Sequence, residues 1–158
     1  IYAELTGVGA NCDAGNIVGP DLEGEELAVR AALADAGLDP ARIGYVNAHG
    51  TSTEANDANE TAVLKRVFGE RAYALPVSSI KGHVGHAMGA AGALDLAATA
   101  LALHHQRIPP TLHWVAGDDR CDLDYVADGP REVALEHAIT NSFGFGGQNS
   151  VLVLSRSG

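Results

Sequence analysis

His49 and His86 each lie in a glycine-rich run of small residues that amphipathic packing alone does not explain. The first sits in Val46-Asn47-Ala48-His49-Gly50-Thr51-Ser52-Thr53, the second in Ser79-Ile80-Lys81-Gly82-His83-Val84-Gly85-His86-Ala87-Met88-Gly89-Ala90-Ala91-Gly92. An imidazole can exchange a proton with a reacting group or donate a hydrogen bond to an oxygen that gains charge. Two of them at two strand-to-helix junctions suggest one site. The opposing reading, a histidine that only closes a loop beside a glycine, suits a single case better than two in matching settings.

The elements that must position these residues alternate along the chain. Ile1 to Val8 alternates like a strand already in mid-flow, which leads us to expect a fragment or an expressed domain. Gly15, Gly19 and Pro20 break the stretch from Asn11 to Glu23. A helix is predicted from about Gly24 to Ala36, closed by Gly37, then a short buried strand from Ile43 to Ala48. Thr53 to Asn56 read as a loop, with Asn56 or Asp57 capping a helix that runs to Phe68 and ends at Gly69. Pro76 to Ser79 read as a brief strand. Met88 to His105 is predicted to be the longest and most buried helix, stopped by Pro109-Pro110. Leu123 to Val126 read as a short strand within a loop region, and two last strands, Ala138 to Phe143 and Asn149 to Ser155, are joined by Gly144-Phe145-Gly146-Gly147. Strands alternating with helices imply an α/β layered domain.

Composition excludes several function classes. With 158 residues and 46% hydrophobic content the chain can bury one core. A formal charge of −10, with only ten scattered Lys and Arg, argues against nucleic acid as a partner. No run of about 18 apolar residues and no signal-like leader is seen, so a cytoplasmic protein is expected. Cys12 and Cys121 are far apart and in no metal-like spacing, so both are read as free, Cys12 in a loop, and no metal site is expected.

Val46 to Thr53, Val77 to Gly92 and Asn141 to Asn149 resemble the three signature stretches in the C-terminal half of the β-ketoacyl-acyl-carrier-protein synthases, the condensing enzymes of fatty acid and polyketide synthesis. The similarity covers essentially the whole chain. It implies a thiolase-like fold, here the C-terminal half with a mixed five-stranded sheet, residues 1–158 forming one domain. It also implies an N-terminal half, absent from this chain, that carries the nucleophilic cysteine. Neither Cys12 nor Cys121 matches that nucleophile.

Such an enzyme loads an acyl group on its cysteine, decarboxylates a malonyl thioester, and lets the carbanion attack the acyl-enzyme. By resemblance, His49 and His86 are the hydrogen-bond donors that stabilise the enolate oxygen, each such donor being worth about 2.7 to 4 kcal/mol. Lys81 holds the family's position for a lysine near the site and would orient His86. Alternatively it forms a salt bridge with Glu60 or Asp95, and the two readings are compatible. Thr51 and Thr53 line, by resemblance, the channel for the phosphopantetheine arm of the acyl carrier protein, against a plain reading of turn and cap chemistry. Phe145, with Gly144 and Gly146 beside it, resembles the family's gating phenylalanine. A simple hairpin or a weakly supported phosphate loop are the other readings of that turn. Asp57 and Glu60 are read as structural. His83, His104, His105, His113 and His137 are read as surface or packing residues.

Gln148 stands where many relatives have threonine, and Glu54-Ala55-Asn56 replace the usual Pro- and Gly-containing loop. Asn56-Asp57, Glu60-Thr61-Ala62 and Leu64-Lys65-Arg66 look somewhat like ketosynthase subunits of bacterial aromatic polyketide systems. The pathway therefore stays open between fatty acid and polyketide synthesis. The resemblance implies no cofactor beyond the carrier arm, the acyl carrier protein as partner, and a homodimer or a heterodimer with a ketosynthase-like subunit. Two further readings are a non-catalytic chain-length-factor-like subunit, though such relatives commonly lose the histidines kept here, and a thiolase-fold remnant serving in assembly.

Overall fold

The computed structural model describes residues 1–116 and 118–158. Among these residues, seven strands and four α-helices follow one another as β1 (Glu4–Cys12), α1 (Leu22–Asp35), β2 (Tyr45–Asn47), α2 (Glu54–Phe68), β3 (Val77–Ser78), α3 (Lys81–Val84), α4 (Ala91–His105), β4 (Arg107–Ile108), β5 (Arg131–Glu132), β6 (His137–Gly144) and β7 (Gln148–Ser155). Five strands make one mixed sheet in the order β1-β7-β6-β2-β3. β6 and β7 are a hairpin, β1 runs antiparallel to β7, and β2 lies parallel to both β3 and β6. The small pair β4-β5 stands apart.

Period-two alternation assigns each strand residue to one of two cores. Val46, Ile139, Val151 and Val153 face a layer made by Val29 and Leu33 of α1 and Val63, Leu64 and Phe68 of α2. Tyr45, Ala138 and Leu154 face the opposite way, onto Ala102 and Leu103 of α4. α1 can lie directly on β1 because two β1 residues lack side chains. A Cβ on Gly9 would fall 2.1 Å from the Ala28 carbonyl oxygen, and one on Gly7 2.4 Å from that of Ala32. Asp21 caps α1, its carboxylate accepting from the Gly24 N–H at 2.7 Å.

The α/β reading and the main alternation hold, with four local corrections. α2 starts at Glu54 with Thr53 as its cap residue, so neither Asn56 nor Asp57 caps it. Asn56 instead turns inward to the Asp57 and Glu60 carboxylates. The fourth helix starts at Ala91, not Met88, because Met88 takes a positive φ of 51° and Met88–Ala90 form a 3₁₀ turn. It equals α2 in length and is less buried, with Leu94 and Leu101 exposed. It ends before the prolines, at Gln106 in the left-handed region, whose amide donates to the Leu103 and Leu135 carbonyls. Leu123 to Val126 form no strand, although the Asp124 and Val126 carbonyls accept from the Val77 and Thr111 N–H groups. Cys12 lies at the end of β1, opposite Gln148, and not in a loop.

Candidate active site

The parallel strands β2, β3 and β6 all point their C-terminal ends at one edge of the sheet, where ligands of open α/β sheets collect. His49 follows β2, Lys81 and His86 follow β3, and Phe143 to Phe145 end β6 and begin the hairpin turn. The two imidazoles meet there edge to face, with ring centroids 5.5 Å apart at 85°, and Phe143 flanks His49 at 6.0 Å. Both histidines, Thr51, Thr53, Gly144 and Phe145 line one cleft of about 910 Å³. Thr51, Thr53 and His86 also line a second cleft of about 650 Å³, with Lys81, Trp114 and Tyr125 in its walls.

His49 is held by its backbone. The Glu60 carboxylate accepts the N–H groups of His49 and Gly50, both at 2.9 Å, and the Asn141 amide at 3.0 Å. Burial pushes the Glu60 carboxyl upward while these donors pull it back. Gly50 takes a φ of +43°, and a Cβ there would lie 2.6 Å from that of Ser79, so only glycine lets the turn close against β3. Ser79 completes the contact by donating to the Gly50 carbonyl at 3.0 Å.

Burial, then the charge of Lys81, then His86, lower the His49 pKa to about 3, so the ring is neutral at physiological pH. Its Nδ1 is buried without a hydrogen-bond partner among the described residues. A bare lone pair is the cheaper occupant of such a position than an unpaired N–H, which puts the proton on Nε2. His86 arrives at the same tautomer by another route. Its Nδ1 accepts the Met88 N–H at 3.3 Å, leaving Nε2 to carry the proton of the neutral ring. The site thus presents two rings whose Nδ1 atoms face away from donation and whose Nε2 positions are left to donate, that of His49 on a ring kept neutral by burial.

Lys81 bonds Asp95 of α4 at 2.8 Å, and both side chains are almost wholly withdrawn from solvent. Of the two acids expected as its partner, Asp95 takes the bond, and Glu60 is committed to the His49 turn. The Lys81 ammonium has no bond to His86 among the described residues, so any orientation of that ring by the lysine would be through Asp95 or the local field. Asn47 ties the same region together, its amide donating to the Asp95 carbonyl and the Thr99 hydroxyl.

Thr51 and Thr53 share a hydrogen bond at 3.0 Å and remain accessible. Phe145 is 71% exposed. The turn that carries it is a hairpin and is tied to the β1–α1 connection, Gly146 N–H donating to the Ile17 carbonyl and Asp13 N–H to that of Gly147. No group of three or more His, Cys, Asp or Glu side chains among the described residues could hold a metal ion. No helix among them is long and apolar enough to cross a membrane. One wall residue escaped the reading of the sequence. Glu25 lines the first cleft, although its place on the apolar stripe with Ala28, Val29 and Ala32 marked it as an inward-facing acid.

A mixed sheet layered by helices, with paired imidazoles at the ends of its parallel strands, is the thiolase-like arrangement of a ketosynthase C-terminal half. Residues 2–115 match the family "Beta-ketoacyl synthase, C-terminal domain", and the chain belongs to it. Nodulation protein E of Rhizobium meliloti is 46% identical over 156 residues, covering 99% of this chain and 39% of that protein. The 3-oxoacyl-[acyl-carrier-protein] synthase 2 of Coxiella burnetii is 46% identical over 158 residues, covering 99% of this chain and 38% of that protein. Among solved structures, the ishigamide ketosynthase/chain length factor superposes with a TM-score of 0.95 at 39% identity, over 100% of this chain and 39% of the other. The chain therefore spans about two fifths of the length of the curated relatives it matches.

Proposed function

We propose that this chain is the C-terminal half of a 3-oxoacyl-[acyl-carrier-protein] synthase, catalysing decarboxylative Claisen condensation in fatty acid or polyketide synthesis. An N-terminal half of the same fold supplies the cysteine. Its thiolate takes the acyl group and releases the first carrier thiol. The malonyl thioester then loses carbon dioxide, and the electron pair of the broken C–C bond moves into an enolate. His49 and His86 donate their Nε2–H bonds to that enolate oxygen. The α-carbon attacks the acyl carbonyl, the new C–C bond forms, and the cysteine thiolate leaves.

The observation that carries this reading is the pair of imidazole rings, 5.5 Å apart, each with Nδ1 excluded as the donor. Donors of this kind lower a barrier because they are fixed before charge develops. Lys81 and Asp95 position the neighbourhood, Thr51 and Thr53 hold the pantetheine arm, and Phe145 with Gly144 gates the acyl end. The partners are the acyl carrier protein and a second ketosynthase-like subunit in a homodimer or heterodimer. Substrates ride on the carrier arm with no free cofactor, and the setting is cytoplasmic. In the complete protein, His86→Ala is expected to abolish carbon dioxide release from malonyl-carrier protein, and undiminished release overturns the role.

A further inference from the structure

Glu25 is a buried acid in the wall of the first cleft that the proposed condensation does not use. It is 1% exposed. One carboxyl oxygen, Oε2, accepts from the Asn59 amide at 2.9 Å, and Oε1 has no hydrogen-bond partner among the described residues. Its polar neighbours are tied to one another. Asn149 donates to Asp13 at 2.8 Å and to Asn11 at 3.0 Å, and Asn11 donates to the Gly24 carbonyl at 2.7 Å. Elsewhere the cleft offers apolar surface from Val18, Ala55, Met88, Ala91, Phe143 and Phe145. An occupant that suits these walls is mostly hydrocarbon and carries an acceptor at one depth.

We infer that Glu25 is a specificity-determining residue, its carboxyl O–H donating a hydrogen bond to a carbonyl oxygen carried on the acyl chain. The cleft then favours acyl chains oxygenated along their length over fully saturated ones. This rests on the condensing role proposed above. The charged groups facing Glu25 are Glu60 from α2 and Asp13 and Asp21 from the β1–α1 connection, all carboxyls. The arginines of this flank, Arg30 and Arg66, are engaged with Glu26. Burial first, and Glu60 next, raise the Glu25 pKa to about 8, which leaves the carboxyl protonated at neutral pH. A protonated carboxyl has one O–H to give, and a saturated chain offers it no acceptor. A site built around a buried donor discriminates against the analogue that leaves it unpaired.

The test is a comparison of kcat/KM for a 5-oxoacyl thioester, whose isolated ketone does not ionise in this pH range, and the saturated acyl thioester of equal length, in the complete condensing protein with its carrier. For E25L the ratio of the two is expected to fall about tenfold. E25Q, whose amide still donates, should keep most of it. In the unaltered protein the ratio should fall as pH rises from 7 to 9 and Glu25 ionises, while in E25Q it stays flat. Any pH effect on the shared reacting centre cancels in the ratio. An unchanged ratio in E25L, equal loss on both substrates, or a pH-independent ratio in the unaltered protein overturns the inference. The pH comparison and E25Q decide the matter should leucine at this buried position prevent folding. Absence of condensation with both substrates in the unaltered protein overturns the function on which the inference stands, and is told apart by that.

Discussion

The Lys81 ammonium lies 2.8 Å from the Asp95 carboxylate in a place where each side chain is less than a tenth exposed. Neither charge has water to fall back on. Burial pushes the Asp95 carboxyl up, while the hydrogen bond and charge of Lys81 pull it down. A buried pair of this kind is costly to break from one side, because the survivor stays charged and dry.

Lys81→Met is accordingly expected to destabilise the protein by about 3 to 5 kcal/mol. The double variant Lys81→Met/Asp95→Leu should recover much of that loss. Chemical denaturation of the single and double variants gives the coupling. A double variant no more stable than the single one would mean that the pair has no mutual dependence.

His49 should remain a neutral ring far into acid. Its pKa is depressed to about 3, so the folded state refuses a proton that the unfolded chain takes up near pH 6.5. The stability it contributes is present above pH 6.5 and is lost as pH falls through that value towards 3. Nitrogen chemical shifts of the imidazole, followed from pH 8 to pH 4, should stay those of the Nε2–H tautomer. A midpoint near 6.5 would contradict the buried geometry.

Glu60→Ala withdraws the acceptor from the buried His49 N–H, the half-buried Gly50 N–H and the buried Asn141 amide at once. Leaving buried donors unmade costs about 1 to 3 kcal/mol each before the turn relaxes. Malonyl decarboxylation by the complete protein is expected to fall at least tenfold. Glu60→Gln, which keeps one acceptor oxygen, should fall less. Equal activity in all three proteins would separate the turn from the chemistry.

Gly50→Ala forces a side chain into a left-handed backbone and against Ser79. The backbone term alone is about 1 to 2 kcal/mol. A lowered melting temperature is expected, and Ser79→Gly in the same protein should relieve the contact and restore part of it. An unaltered melting temperature for Gly50→Ala would show that the turn is not as tightly closed as its geometry requires.

The parts of the fold that follow from local chemistry were legible in the sequence. Glycine stops and the alternation of the last two strands are decided within a few residues, and they stand in the structure at nearly the expected places, whereas the expected cap of α2 does not. The grouping of His49 with His86 also followed, since both runs sit at strand ends. What could not be read locally was decided by neighbours distant in the chain. Met88 takes a positive φ where periodicity asked for a helix, and the partner of Lys81 is fixed by how α4 lies across β2. The apolar stripe of α1 turns Glu25 inward, but an acid in a helix first turn is also at home in solvent, so the stripe alone does not make it a wall of the cleft. The approach of α2 and the hairpin completes that wall.

The clamp that Glu60 places on the His49–Gly50 turn decides which parts of the molecule can answer to acidity. An anion cradle built from peptide groups behaves alike at any proton concentration, since the amides cannot titrate. Here those amides are spoken for by a carboxylate, and the work passes to ring nitrogens that exist in two charge states. The fold has then had to fix one of those states by enclosure, at the foot of β2. In this way a question of main-chain satisfaction becomes the reason why the His49 ring must be kept dry.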